Sequence, residues 1–147
     1  MKFQFFIFIA QEQFFVFSIK SINYLNNNIK FGKENATEAE VIEAAKNAYV
    51  HKNIINFKDG YDTILGERGI TLSGGQKQRI SIARAIIKSP KLLLFDDCLS
   101  AVDTETEEKI LNNLKELTTA TTTIIVTHRV SSAKNADQII VLDHGRI

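Results

Sequence analysis

Four consecutive apolar residues, Leu92-Leu93-Leu94-Phe95, run directly into two carboxylates, Asp96-Asp97. A run this short and unbroken reads as a strand buried on both faces, the kind that fills a parallel sheet between layers of helix. Upstream, Pro90 stops a helical segment that Ser73 can cap, spanning about Gly74 to Lys88. Downstream, Thr104 and Glu107 have capping-box spacing and open a helix to about Leu117. Thr122 to Thr127 is a β-branched strand, Gln138 to Leu142 is another, and Asp143-His144-Gly145 is turn chemistry. Strands alternating with helices predict a layered α/β architecture with mainly parallel core strands.

The amino-terminal part differs in character. Seven of the ten Phe lie within the first 17 residues, and Phe5 to Ile9 reads as a short buried strand. Gln4 interrupts the apolar run after Lys2, and no A-x-A-like site follows, so a signal peptide is not the reading. Residues 18–31 are Asn-rich and predict a loop with a short helix. Thr37 with Glu40 forms a capping box, and Val41, Ala44, Ala45 and Ala48 give a helical apolar stripe to about Val50. A turn is expected around Asp59-Gly60. Three segments follow: about 1–17, strand and adjoining loop; about 18–90, helical; about 91–147, α/β core.

Composition removes several function classes. The net charge of +1, with Lys and Arg spread along the chain, argues against a nucleic-acid-binding protein driven by a basic face. One cysteine, Cys98, excludes a disulfide framework and a Cys-rich zinc site. No run approaches the 18 or so apolar residues of a spanning helix.

Chemistry concentrates in two places. In Leu72-Ser73-Gly74-Gly75-Gln76-Lys77-Gln78-Arg79, a helix begins with a hydroxyl residue and two glycines. The amide groups and positive dipole end of such a helix attract phosphate oxygens, and glycine lets them approach the backbone. Ser-Gly-Gly alone is more simply a capped turn; the full string Leu-Ser-Gly-Gly-Gln is what carries specificity. The second place is Asp96-Asp97, carboxylates at the carboxyl end of a buried strand, where α/β folds bind ligands.

With these residues the chain resembles the nucleotide-binding domain of ABC transporters, over about Phe8 to Ile147. Ser73, Gly74, Gly75 and Gln76 match the signature motif. The context Gly60-Tyr61-Asp62-Thr63, then Gly66-Glu67-Arg68-Gly69, then Ile82-Ala83-Arg84-Ala85, resembles the exporter branch, in which the Glu67 segment would face the coupling helices of membrane domains. The resemblance implies an incomplete P-loop NTPase-type layered α/β fold with a helical signature subdomain. It implies ATP and Mg²⁺ as cofactors. A second ABC ATPase domain, as homo- or heterodimer, and the transmembrane domains of an exporter are the implied partners, on the cytoplasmic face of a membrane.

The resemblance also implies residue roles. Asp96 would hold Mg²⁺ through water. Asp97 would polarise the attacking water, and His128 would contact the γ-phosphate. Gln11, in Ile9-Ala10-Gln11-Glu12-Gln13, matches the loop glutamine that reaches Mg²⁺, with Gln13 as the alternative register. Ser100-Ala101-Val102-Asp103 matches the D-loop, and Asp103 would help organise the opposite site of a dimer.

Two departures stand out. Asp97 stands where the family usually has Glu, one methylene longer; the shorter side chain falls about 1.5 Å short unless the backbone moves, so a slow site is expected. Asp here also occurs in the degenerate-site subunit of heterodimeric exporters. Further, no G-x-x-x-x-G-K-[ST] occurs in the 147 residues; Gly32-Lys33-Glu34 has only the Gly-Lys pair. Such a loop cradles the β- and γ-phosphates. The expectation is therefore that this chain alone binds ATP weakly and hydrolyses it negligibly, being a carboxy-terminal portion, one half of a split domain, or a non-functional gene fragment.

Overall fold

The computed structural model describes residues 5–9, 23–66, 70–117, 121–134, 136–144 and 146–147. In chain order the described elements are β1 (Phe5–Ile9), β2 (Asn23–Tyr24), α1 (Leu25–Lys30), α2 (Glu38–Asn47), α3 (His51–Ile55), a 3-10 turn at Gly60–Asp62, β3 (Ile64–Leu65), α4 (Gly74–Ile86), β4 (Leu92–Asp96), α5 (Thr104–Leu117), β5 (Thr122–Val126), α6 (Val130–Ala133) and β6 (Gln138–Val141). They group into two compact units. One contains β1 and everything described from Pro90 onward; the other runs from β2 to Ser89.

The first unit is built on a four-stranded sheet of order β4-β5-β1-β6. Every pairing in it is parallel, with Leu94 opposite Ile124, Phe6 opposite Ile124 on the other side, and Ile7 opposite Ile139. Parallel neighbours cannot be joined by a hairpin, so α5 intervenes between β4 and β5; α6 lies on the connection from β5 to β6, which β1 separates in the sheet. Leu93, Phe95 and Ile125 are buried, as are Ile110, Leu111 and Leu114 of α5, and these form the apolar core of this unit.

The structure corrects one expectation about β4. Leu93 and Phe95 are 4% exposed, but Leu92 and Leu94 are 58% and 61% exposed. The strand is buried on one face rather than two. It is the terminal strand of the described sheet, and its alternate side chains meet two different environments.

The second unit is helical, with a two-residue antiparallel ladder between β2 and β3. α4 packs on α1 and α2, and α2 also touches α3. Leu25, Ile29, Val41, Ala45, Ile54, Ile80 and Ala83 make its core. α2 begins in the expected capping box: the Glu40 amide donates to Thr37 Oγ1 and the Thr37 amide to Glu40 Oε2. It ends at Asn47, earlier than the apolar stripe predicts. The Val50 amide reaches Ala45 O and the Tyr49 amide reaches Lys46 O, the two bonds of a Schellman turn. Tyr49 holds the left-handed position, φ 56°. The Arg79 guanidinium donates to Tyr49 O at 2.6 Å, tying this turn to α4.

Candidate functional site

The carboxyl ends of β4 and β5 lie side by side because the strands are parallel and in register, Asp96 opposite Val126. The residues that follow each strand therefore meet at one edge of the sheet. Asp97 turns sharply: its φ is 45°, a conformation that Asp tolerates better than most residues. Its amide donates to Val126 O at 2.9 Å, which fastens it to the end of β5. After β5, the Arg129 amide donates to Thr127 Oγ1 at 3.1 Å, a local turn that projects His128 between them. The outcome is a carboxylate and an imidazole at 3.4 Å, Asp97 Oδ1 to His128 Nδ1, both well exposed.

The loop after Asp97 is held closely. Ser100 donates to Asp97 O through its amide (3.2 Å) and its hydroxyl (2.9 Å). Arg129 reaches across and donates to Ser100 O at 2.6 Å and Val102 O at 2.9 Å. A small cleft here is lined by Asp97, Ser100, Thr127, Arg129 and Ser132. Cys98 also lines it, and burial pushes its thiol up to about 12.

Asp103 ends this loop and caps α5. Its Oδ1 accepts from the Thr106 amide at 2.9 Å, and its carbonyl accepts from the Glu107 amide. This corrects the capping box expected of Thr104 and Glu107. Asp103 is one residue earlier and takes the cap, and Glu107 is fully buried instead. Glu107 Oε2 pairs with Arg129 Nη1 at 2.7 Å, and its Oε1 accepts from the Ser131 and Ser132 hydroxyls. The sequence reading gave Glu107 only a capping role and Arg129 none; the local signal was an arginine next to His128.

The other predicted group lies in the helical unit. Ser73 caps α4: its Oγ accepts from the Gln76 amide at 3.2 Å, and Gln76 Oε1 accepts from the Ser73 amide at 2.9 Å. Gln76 is thus occupied in the box. The Gly74 and Gly75 amides occupy the first helical positions, which have no intrahelical acceptor. Ser73 and Gly74 are exposed, so this helix tip is open to an anion. Gln11, the remaining predicted contact, and Glu67 lie outside the described residues, as does Gln13. Of the other two histidines, His51 Nδ1 lies 2.9 Å from Tyr61 OH and His144 Nδ1 lies 3.8 Å from Asp143 Oδ1.

Known proteins are similar to this chain. Residues 9–100 match the family described as "ABC transporter". The chain is 51% identical over 123 residues to "ATP-binding cassette sub-family B member 6" of Xenopus tropicalis, covering 84% of this chain and 14% of that protein. It is 50% identical over 139 residues to "Uncharacterized ABC transporter ATP-binding protein YknU" of Bacillus subtilis, covering 95% of this chain and 23% of that protein. A solved structure, "Structure of a bacterial Atm1-family ABC exporter with ATP bound", superposes with a TM-score of 0.81 at 41% identity, over 97% of this chain and 24% of that one. The chain spans about a quarter or less of these relatives' lengths. It belongs to the ABC transporter family, as ATP-binding-domain sequence of the exporter type.

Proposed function

We propose that this chain contributes to an ATP-hydrolysing domain that drives an exporter, acting with a second ABC ATPase domain and with transmembrane domains at the cytoplasmic face of a membrane. The observation that carries the reading is the Asp97–His128 pair at the carboxyl edge of parallel strands β4 and β5. That edge is where open α/β sheets bind ligands.

The residues fit ATP and Mg²⁺. Among the described residues no cluster of three or more His, Cys, Asp and Glu could hold a metal unaided. Mg²⁺ needs no such cluster, because it keeps several waters and binds through one or two carboxylates plus substrate phosphates. Asp96 at the end of β4 would serve as that carboxylate, with Gln11 as a further contact. When bound, Mg²⁺ and the nucleotide supply a phosphoryl group whose charge is neutralised for attack. Asp97 would orient the attacking water and accept its proton. His128, within reach of Asp97, would donate to a γ-phosphate oxygen. Ser73, Gly74 and Gly75 present hydroxyl and amide donors to the nucleotide held by the second domain. Asp103 lies on the loop that would cross to that domain.

Asp97, in the family's usual Glu position, favours a narrower second reading: a degenerate site that offers its signature helix to the partner's nucleotide and hydrolyses little itself. One experiment separates them. The chain is mixed with an ABC ATPase domain that carries a P-loop, and phosphate release is measured. Gain of ATPase that Ser73→Arg abolishes supports a shared site. If Asp97→Asn then removes the gain, the site is hydrolytic; if Asp97→Asn leaves it, the site is degenerate. No gain in any mixture defeats both.

A further inference from the structure

The buried pair of Glu107 and Arg129 has no part in the roles given above, yet it adjoins the two loops that carry Asp97, Asp103 and His128. We infer that Arg129, oriented by Glu107, is a positioning residue that fastens the D-loop to the switch-histidine loop, so that Asp97, His128 and Asp103 shift as one body. The inference deepens the proposed function and rests on that reading for its consequence in catalysis.

The geometry is specific. Arg129 uses separate arms of its guanidinium: Nη2 donates to Ser100 O at 2.6 Å, while Nη1 donates to Val102 O at 2.9 Å and to Glu107 Oε2 at 2.7 Å. Its own amide is held by Thr127 Oγ1. One side chain therefore binds two carbonyls of the loop between Asp97 and Asp103, and its backbone adjoins His128. Glu107 is 0% exposed, and its second oxygen is held by the hydroxyls of Ser131 and Ser132 on α6. A buried charge needs a partner and filled hydrogen-bonding sites, and this one has both. The carboxylate fixes the guanidinium plane, and the plane fixes the loop. Arginine suits this task because its donors form a rigid fork; lysine has one nitrogen and cannot span the two carbonyls in the same way.

A merely charge-balancing Arg129 would be replaceable by lysine, and that decides the test. Amide hydrogen exchange is followed in the full chain for the parent, Arg129→Lys and Glu107→Gln. The expected result is that amides of Ala101, Val102 and His128 exchange at least about tenfold faster in Arg129→Lys, while those of Leu94, Phe95, Ile124 and Ile125 keep parental protection. Glu107→Gln, which keeps shape and loses charge, is expected to give the same local pattern. Unchanged exchange in the D-loop of the lysine variant overturns the inference, and so does equal acceleration throughout β4 and β5 in both variants. In an ATP-hydrolysing assembly containing the chain, Arg129→Lys is expected to lower kcat roughly 10- to 100-fold with KM for ATP within about twofold. A change confined to KM also overturns it. Failure of the exchange result removes the fastening and leaves the proposed function standing, whereas a parent assembly without ATPase activity removes the function and leaves the fastening.

Discussion

His128 Nδ1 lies 3.4 Å from Asp97 Oδ1, although 30 residues of chain and an entire helix separate them. The closeness follows from the pairing of β4 with β5, which brings both loops to one end of the sheet. It also sets the consequence of lengthening the acid. Asp97→Glu carries the carboxylate about 1.5 Å further out. In an ATP-hydrolysing assembly this is expected to raise kcat, by about 10- to 100-fold if the short acid limits turnover, since a misplacement of about 1 Å can cost that much. The backbone opposes the change slightly. Position 97 has φ 45°, which Asp bears better than Glu, so the variant is expected to lose about 1 kcal/mol of stability in urea denaturation. Unchanged or lower turnover would show that acid length is not what limits the site.

Ser73 has a structural task and a proposed binding task, and one substitution separates them. Aspartate is as good an N-cap as serine, so Ser73→Asp is expected to keep the α4 cap and leave stability within about 0.5 kcal/mol of the parent. Its negative charge would face the nucleotide phosphates. ATP-dependent association with a second ABC domain, read by sedimentation, is therefore expected to weaken at least about tenfold. Ser73→Ala should do the reverse to the fold, costing about 1 kcal/mol through the lost cap.

Two of the capping-box patterns in this chain show what local sequence can and cannot specify. Thr37 and Glu40 form the box that their spacing predicts, and Lys33 takes the other Glu40 oxygen without breaking it. Thr104 and Glu107 have the same spacing and do not. Asp103 is the better cap, and Arg129, 22 residues further along the chain, offers Glu107 a buried partner. Only the folded topology brings that arginine close. The same reason hid α3: His51–Ile55 is too short to display a periodic stripe, and its one fully buried residue is Ile54. The Leu92 to Phe95 run was legible as a strand, whereas the order of strands in the described sheet is set by distant pairings. Signals carried by contiguous residues were legible: the Ser73 cap, the glycines behind it, and two acids at the end of an apolar strand.

Acid should weaken the amino-terminal cap of α2 within a defined range. The side-chain bond from Lys33, with the Thr37 amide and hydroxyl, lowers the Glu40 carboxyl from the ordinary 4.5 to about 2. A carboxyl whose pKa is depressed in the folded state contributes its full stability above the unfolded value and loses it as pH falls toward the folded one. The contribution is thus expected to be complete above about pH 4.5 and gone by about pH 2. Melting temperatures of the parent and Glu40→Gln, compared across this range, should converge as pH falls. A constant gap would place the stabilisation elsewhere.

Gly32 provides the sharpest packing test. It follows α1, where the chain passes against α4, and a Cβ built there would lie 2.1 Å from Arg84 O and 2.6 Å from Ile87 Cγ2. The first of these is backbone, so no side-chain rotation relieves the clash. Arg84 is also committed: it donates to Asn28 O at 2.7 Å and Asn28 Oδ1 at 2.8 Å, and its guanidinium lies 5.6 Å from the Phe31 ring centre. Gly32→Ala must therefore push α1 and α4 apart or break the Asn28 bonds. Overpacking of this kind costs about 1–3 kcal/mol, and a chain of this size should then melt roughly 4–12 °C lower. The loss should extend to the Arg84–Asn28 contact, so Gly32→Ala and Asn28→Ala together are expected to cost less than the sum of their separate effects. Simple additivity in that double-mutant cycle would mean that the two helices do not meet through Gly32.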